Sequence, residues 1–228
     1  MYQPMLYLHW KQVRYGLIPF VLAAYALPLL AVQGFGGGFD PTAIAAGAYR
    51  SAVGFNYWLP FFPALAAATG ATLALSAWNW DHQLKHVYAL SLPVSRWRYA
   101  MLKMGAGAVL ALIPTAAFGL GCAVAVLSVD LPMGLHAYPL ELTLRFFLGT
   151  LLAYSALFAL AAGTVRTTGI LLSVVVVGVL VSGPLTEALA NVNPYWEGVH
   201  VMEWAMTRLI EAPGPLQIFT GNWSLIDV

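Results

Sequence analysis

Charge is what this sequence has least of. Of 228 residues, 10 are Lys or Arg and 9 are Asp or Glu, 8% in all, against 61% that are apolar. Soluble domains carry about 25% charged and about 45–50% apolar residues. So few charges cannot cover a globule of this size with a wetted surface, and the mean hydropathy of +0.77 agrees. That argues against a soluble enzyme. Cysteine is nearly absent as well. Cys122 stands alone, so the chain has no internal disulfide framework and its thiols say nothing of redox compartment. A net charge of +1 offers no attraction to nucleic acid, which wants a basic patch or stripe. No G-x-x-x-x-G-K-[ST] loop, H-E-x-x-H or G-x-S-x-G occurs. Readings as an ATP-binding enzyme, a metalloprotease or a serine hydrolase therefore lack an anchor.

What is present is long uncharged runs. A bilayer-crossing helix needs about 20 mainly apolar residues, and five uninterrupted stretches qualify: 16–33, 57–78, 104–129, 146–165 and 167–186. A soluble amphipathic helix has a polar face, and 106–129 has none. The first stretch reads as a retained span, because it is longer than a signal peptide's apolar region and 28–33 lacks a small-x-small cleavage site. The expected fold class is all-α: a polytopic helical membrane protein with five transmembrane helices and amphipathic interface helices. One transmembrane domain over 1–228 divides into an interface helix (1–15), the spans (16–186) and an external tail (187–228).

Orientation follows from the distribution of Lys and Arg. With the amino terminus in the cytoplasm, the inner segments carry Lys11, Arg14, Lys85, Arg96, Arg98, Lys103 and Arg166, whereas the outer ones carry Arg50, Arg145 and Arg208. The expectation is a multi-pass protein of the plasma (inner) membrane with its tail outside. In that tail Val199, Met202, Ala205, Met206, Leu209 and Ile210 recur at helical spacing between Asn193-Pro194 and Pro213-Gly214-Pro215. This describes an amphipathic helix in the outer interface.

The most informative stretch is 79–103, joining spans two and three. Asp81 suits the first turn of a helix, where its charge meets the positive dipole end. Leu84, Val87, Tyr88 and Ser91 then share one face at i, i+3, i+4 and i+7. Leu92 ends that face and Pro93 blocks continuation. Ser95 is placed to cap the next helix, with Arg96, Arg98 and Lys103 as headgroup anchors at the inner surface, like Lys11 and Arg14 on the first helix. A short capped helix between two spans is either a handle for a soluble motor or a lid over the end of the bundle.

The string Ser91-Leu92-Pro93-Val94-Ser95-Arg96, with Asp81 upstream and Lys103 downstream, resembles the coupling-helix region of ABC transporter permeases of the type-2 exporter family. The segment 4–15, with its aromatics and Lys11/Arg14, resembles that family's interface helix. The resemblance implies the permease subunit of an ATP-driven exporter. Its partners would be a separate ABC ATPase subunit, a second permease copy and membrane lipid, with no nucleic acid. It implies no cofactor in this chain, since ATP and Mg would bind the ATPase, and no catalytic residue. Coupling would fall to Asp81, Leu84, Val87, Tyr88, Leu92, Pro93, Ser95 and Arg96. Family members have six spans; five are read here, and the chain stops at Asp227-Val228, about where a sixth would begin.

Other features keep alternatives open. His82 and His86 are spaced to share a metal, yet equally suit the polar face of the coupling helix, with no third ligand near; no metal site is expected. His9, His82, His86, His136 and His200 fall outside the five stretches, against a haem-binding subunit. The stretches hold no ionisable residue, against an ion-coupled secondary carrier. Two alternatives remain: a non-transporting anchor or assembly subunit of a larger complex, and an ion-coupled secondary carrier. Prolines 19, 28, 60, 63, 114 and 184 would kink spans rather than break them. Ala64, Ala68, Ala71, Gly105, Gly119, Gly121, Gly169 with Ser173, and Gly178 with Ser182 are the expected close-approach positions.

Overall fold

The computed structural model describes residues 2–33, 60–83, 95–128, 136–163 and 216–227, together with positions 166, 169, 170, 173, 177, 208 and 214. Helix α1 is Tyr2–Gln33, α2 Phe61–Gln83, α3 Arg96–Leu110, α4 Leu112–Leu127 and α5 Pro139–Ala161. A short α6 spans Gln217–Thr220, and strands β1 (His136–Ala137) and β2 (Ile226–Asp227) pair antiparallel.

Four helical segments are long and apolar enough to cross a membrane: Met5–Val32, Phe61–Asn79, Trp97–Leu127 and Pro139–Ala161. The fifth expected span lies outside the described residues, apart from a few single helical positions in 167–186. The interface helix expected over 1–15 is not a separate element; α1 runs through 32 residues without a break. No glycine or proline interrupts Met5–Tyr15, and Pro19 and Pro28 are accommodated within the helix. At about 1.5 Å per residue α1 reaches roughly 48 Å, more than the ~30 Å hydrocarbon thickness, so it is longer than a crossing requires.

The third span is α3 and α4 in series. Pro114 supplies no N–H for the Leu110 carbonyl, and the regular ladder lapses at Ala111. The backbone there stays near helical (φ −62°, ψ −21°), and the Thr115 hydroxyl donates to the Ala111 carbonyl at 2.8 Å. A proline therefore interrupts the hydrogen bonding and the chain runs on.

The chain forms two compact units, residues 1–158 with 222–228, and residues 159–221. In the first, α1 packs along α2, α3 and α4. The outward faces are apolar too, with Leu22, Leu75, Leu120 and Leu148 exposed, as for helices that meet lipid. A core of Ala24, Val32, Phe62, Phe118, Cys122, Leu142 and Phe146 fills the end where α1 finishes and α5 starts. Phe118 stacks on Phe146 at 4.3 Å and meets Phe62 edge-on at 5.6 Å. Backbones approach at Gly70, whose Cβ would stand 2.5 Å from the Thr150 carbonyl oxygen, and at Gly121, against that of Tyr25. The second unit is described at the last turn of α5, at single positions and at α6.

Candidate functional site

At the end of the first unit opposite the phenylalanine core, polar side chains gather inside the bundle. Asp81, 1% exposed, sits in the last turns of α2 and faces Lys103, 7% exposed, in the middle of α3. The Lys103 ammonium donates to Asp81 Oδ2 at 2.6 Å. Tyr99, one helical turn before Lys103, donates its hydroxyl to the same carboxylate at 3.0 Å. Below the ammonium lies the Trp78 ring, with Nζ 4.5 Å from its centroid. Trp78 is held by its indole N–H, donated to the Phe158 carbonyl at 3.1 Å. The spacing is helical on both sides: Trp78 and Asp81 share a face at i, i+3, and Tyr99 and Lys103 at i, i+4.

α1 closes the cluster. His9, 3% exposed, sets Nε2 at 3.3 Å from both the Leu73 carbonyl and Ser76 Oγ. The Ser76 hydroxyl itself donates to the Leu73 carbonyl at 2.9 Å. Both partners therefore face Nε2 as acceptors, which assigns the proton to Nε2 and leaves Nδ1 a bare acceptor. Nδ1 is buried without a hydrogen-bond partner. A cleft lined by Met5, Leu8, His9, Gln12, Asp81, Tyr99 and Lys103 separates α1 from the ion pair, with room for about one water.

The physics of this end is that of a clamp. An isolated buried charge is expensive, whereas a hydrogen-bonded pair of opposite charges is tolerated, and removing one partner exposes the full penalty. Asp81, Tyr99 and Lys103 satisfy one another across α2 and α3. These two helices are thereby fixed to each other at the two roots of the segment 84–94.

The expected site residues divide accordingly. Asp81 was expected to open a separate helix; it lies instead within α2, because nothing in Trp78–Gln83 stops that helix and its carboxylate finds Lys103 indoors. Lys103 was expected at the headgroups and is buried for the same reason. Ser95 is the N-cap residue of α3, in extended conformation, but its hydroxyl makes no cap hydrogen bond. Arg96 is the first residue of α3. Lys11, Arg14 and Arg98 are exposed, and the Arg14 guanidinium lies 4.5 Å from the Tyr15 ring centroid. Leu84, Val87, Tyr88, Leu92 and Pro93 lie outside the described residues, as do the side chain of His82 and all of His86. Among the described residues no cluster of three metal-ligating side chains occurs.

Two inferences from the bare runs need correction. The described spans are not free of ionisable groups: His9, Lys11, Arg14, Arg98, Lys103, Glu141 and Arg145 fall within them. His9 is also a buried bundle residue. The uncharged runs were cut at the first charge, and each helix continues past it. Comparison with known protein families, characterised proteins and solved structures yields no match.

Proposed function

We propose that this chain is the transmembrane permease subunit of an ATP-driven exporter of the ABC type-2 class. It would lie in the plasma membrane with its amino terminus in the cytoplasm, as a five-span protein paired with a second permease copy. A separate ATPase binds and hydrolyses ATP, and the segment 84–92 receives its force. The reading rests on one observation: Asp81, Tyr99 and Lys103 tie together the two helices that bracket that segment. A push on a loop with loose roots is lost in bending. A push on a loop with clamped roots moves α2 and α3 as one body, and α1 follows through His9. Asp81 and Lys103 act in this scheme as positioning residues inside the bundle, and the contact surface falls to Leu84, Val87, Tyr88 and the string Leu92-Pro93-Val94-Ser95-Arg96.

The test is purification from the native membrane with a phosphate-loop ATPase bound. Leu84→Asp, Val87→Asp or Tyr88→Asp then separates ATP hydrolysis from transport while insertion stays intact. Isolation without an ATPase, or normal transport by those variants, contradicts the reading.

A second reading draws on the same cluster. Buried ionisable groups in a bundle end are the usual furniture of ion-coupled carriers, and His9, Asp81 and Lys103 supply them here. That reading predicts uptake or efflux in liposomes under an ion gradient with no ATPase present.

A further inference from the structure

His9 is satisfied on one side only. Its Nε2–H is turned to α2, where the Leu73 carbonyl and Ser76 Oγ receive it, and the two nitrogens of an imidazole point in diverging directions. Nδ1 therefore turns away from those partners, and it is a buried acceptor without a hydrogen bond. Burying an acceptor in that state is costly. His9 also lines the cleft between α1 and the ion pair, and four of the other six lining side chains are polar: Gln12, Asp81, Tyr99 and Lys103. Asp81 keeps acceptor capacity toward this space. Its Oδ2 takes the Lys103 ammonium and its Oδ1 the Tyr99 hydroxyl at 3.1 Å, and each carboxylate oxygen offers two lone pairs.

We propose that the cleft is a binding site for one neutral hydrogen-bond donor, a single water molecule that donates one O–H to His9 Nδ1 and the other to Asp81. Charge decides against the other small guests. Asp81 is already neutralised by the Lys103 ammonium at 2.6 Å. Among the described residues the lining holds no second carboxylate, so a metal ion, or a second proton on the ring, would stand beside that ammonium uncompensated. An anion would face the lone pairs of Nδ1 and of the carboxylate. A neutral donor meets neither objection. Buried waters make about three hydrogen bonds to groups that otherwise lack them, and the Gln12 amide in the same lining can supply the third. The consequence is mechanical. His9 itself bonds only to α2, and the water extends that bond to the carboxylate that holds α3, joining α1 to the ion pair without adding charge. This inference stands apart from the ATPase reading, and its failure leaves that reading intact.

The full chain, isotope-labelled in histidine and phenylalanine and reconstituted in lipid bilayers, is read by water-edited solid-state NMR. His9 is identified among the five histidines by the signal lost in His9→Gln, which keeps a donor toward Leu73 and lacks the acceptor in the cleft. Should that variant not fold, a chain with His82, His86, His136 and His200 replaced by Gln leaves His9 as the single signal. In wild type the His9 ring is expected as the Nε2–H tautomer. Magnetisation from water is expected to reach it at least fivefold faster than it reaches the Phe118 ring in the apolar core, which is 0% exposed. Its ring shifts are expected to stay unchanged on adding sodium chloride, and between about pH 8 and about pH 6, which brackets an ordinary imidazole. Transfer as slow as at Phe118, or a proton resident on Nδ1 at the upper pH, overturns the water site. Ring shifts that follow pH or sodium overturn it as well, because they assign the cleft to a proton or a cation.

Discussion

The two ends of the helix bundle are built on opposite principles. At the end carrying His9, Asp81 and Lys103, order comes from charge: an ammonium, a carboxylate and a phenol satisfy one another, and a tryptophan ring covers the ammonium. At the other end order comes chiefly from apolar packing, with three phenylalanines, one cysteine, Trp223 and Leu225, edged by a short β ladder and by Arg145. A charged cluster is strongly directional and fails abruptly when one member goes. An apolar contact is non-directional, and its loss is felt in proportion to the area uncovered. The difference separates a directional charged clamp from a non-directional apolar core within one bundle.

Substitutions sharpen or break that contrast, and the largest effect is expected at the clamp. Lys103→Met leaves Asp81 buried and unpaired and costs about 3–5 kcal/mol. The loss is read as a lowered unfolding midpoint of the detergent-purified protein. Adding Asp81→Asn restores most of it, and a double-mutant cycle without coupling between the two positions would remove the clamp from the account. Next comes Trp223 in the apolar core. Trp223→Ala costs about 3 kcal/mol if the cavity stays open. Its effect on amide hydrogen exchange is confined to 136–138 and 222–227, and exchange in α3 near Lys103 stays as in wild type. Faster exchange at both ends would merge the two regions into one.

Backbone contacts rank third. Gly121→Ala drives a methyl into the Tyr25 carbonyl and costs about 1–3 kcal/mol. Gly169→Ala, where a Cβ meets nothing within 4 Å, leaves the midpoint unchanged or raises it, since alanine favours a helix by up to about 1 kcal/mol. The smallest change is Thr150→Val. The Thr150 hydroxyl oxygen is buried and unpartnered, and an isosteric methyl there is neutral or stabilising by about 1 kcal/mol. A clear loss of stability would assign that hydroxyl a partner.

The helical, apolar character was legible because it is written in composition: few charges and long uncharged runs. Helix limits were less so. Runs cut at Arg14, Lys103 and Arg145 placed the ends too far inward, because a charge terminates a hydropathy pattern without terminating a helix. Asp81 and Lys103 were marked from the string around them, but their partnership was not, since an ion pair 22 positions apart in sequence leaves no periodic trace. Tyr99 and Trp78 sat one helical turn from the marked residues and were findable by face sharing. His9 was not, because nothing local ties α1 to α2. Small-residue reasoning found Gly121 and Gly119, the latter tight against Thr143. It missed Gly70 and Gly107, and it favoured Ala64 and Ala68, which face outward. Which side of a helix meets a neighbour is decided by packing when every side is apolar. The pairing of β1 with β2 was beyond reach altogether, because two residues of β-pairing across about 90 positions carry no signal of their own.

The functional reading turns on what touches the segment between the clamped helices. The direct measurement is a photocrosslinking amino acid at position 88, irradiated in the native membrane, with the adduct identified by mass spectrometry. The account predicts a covalent adduct with a phosphate-loop ATPase. Adducts confined to lipid or to this chain would contradict it.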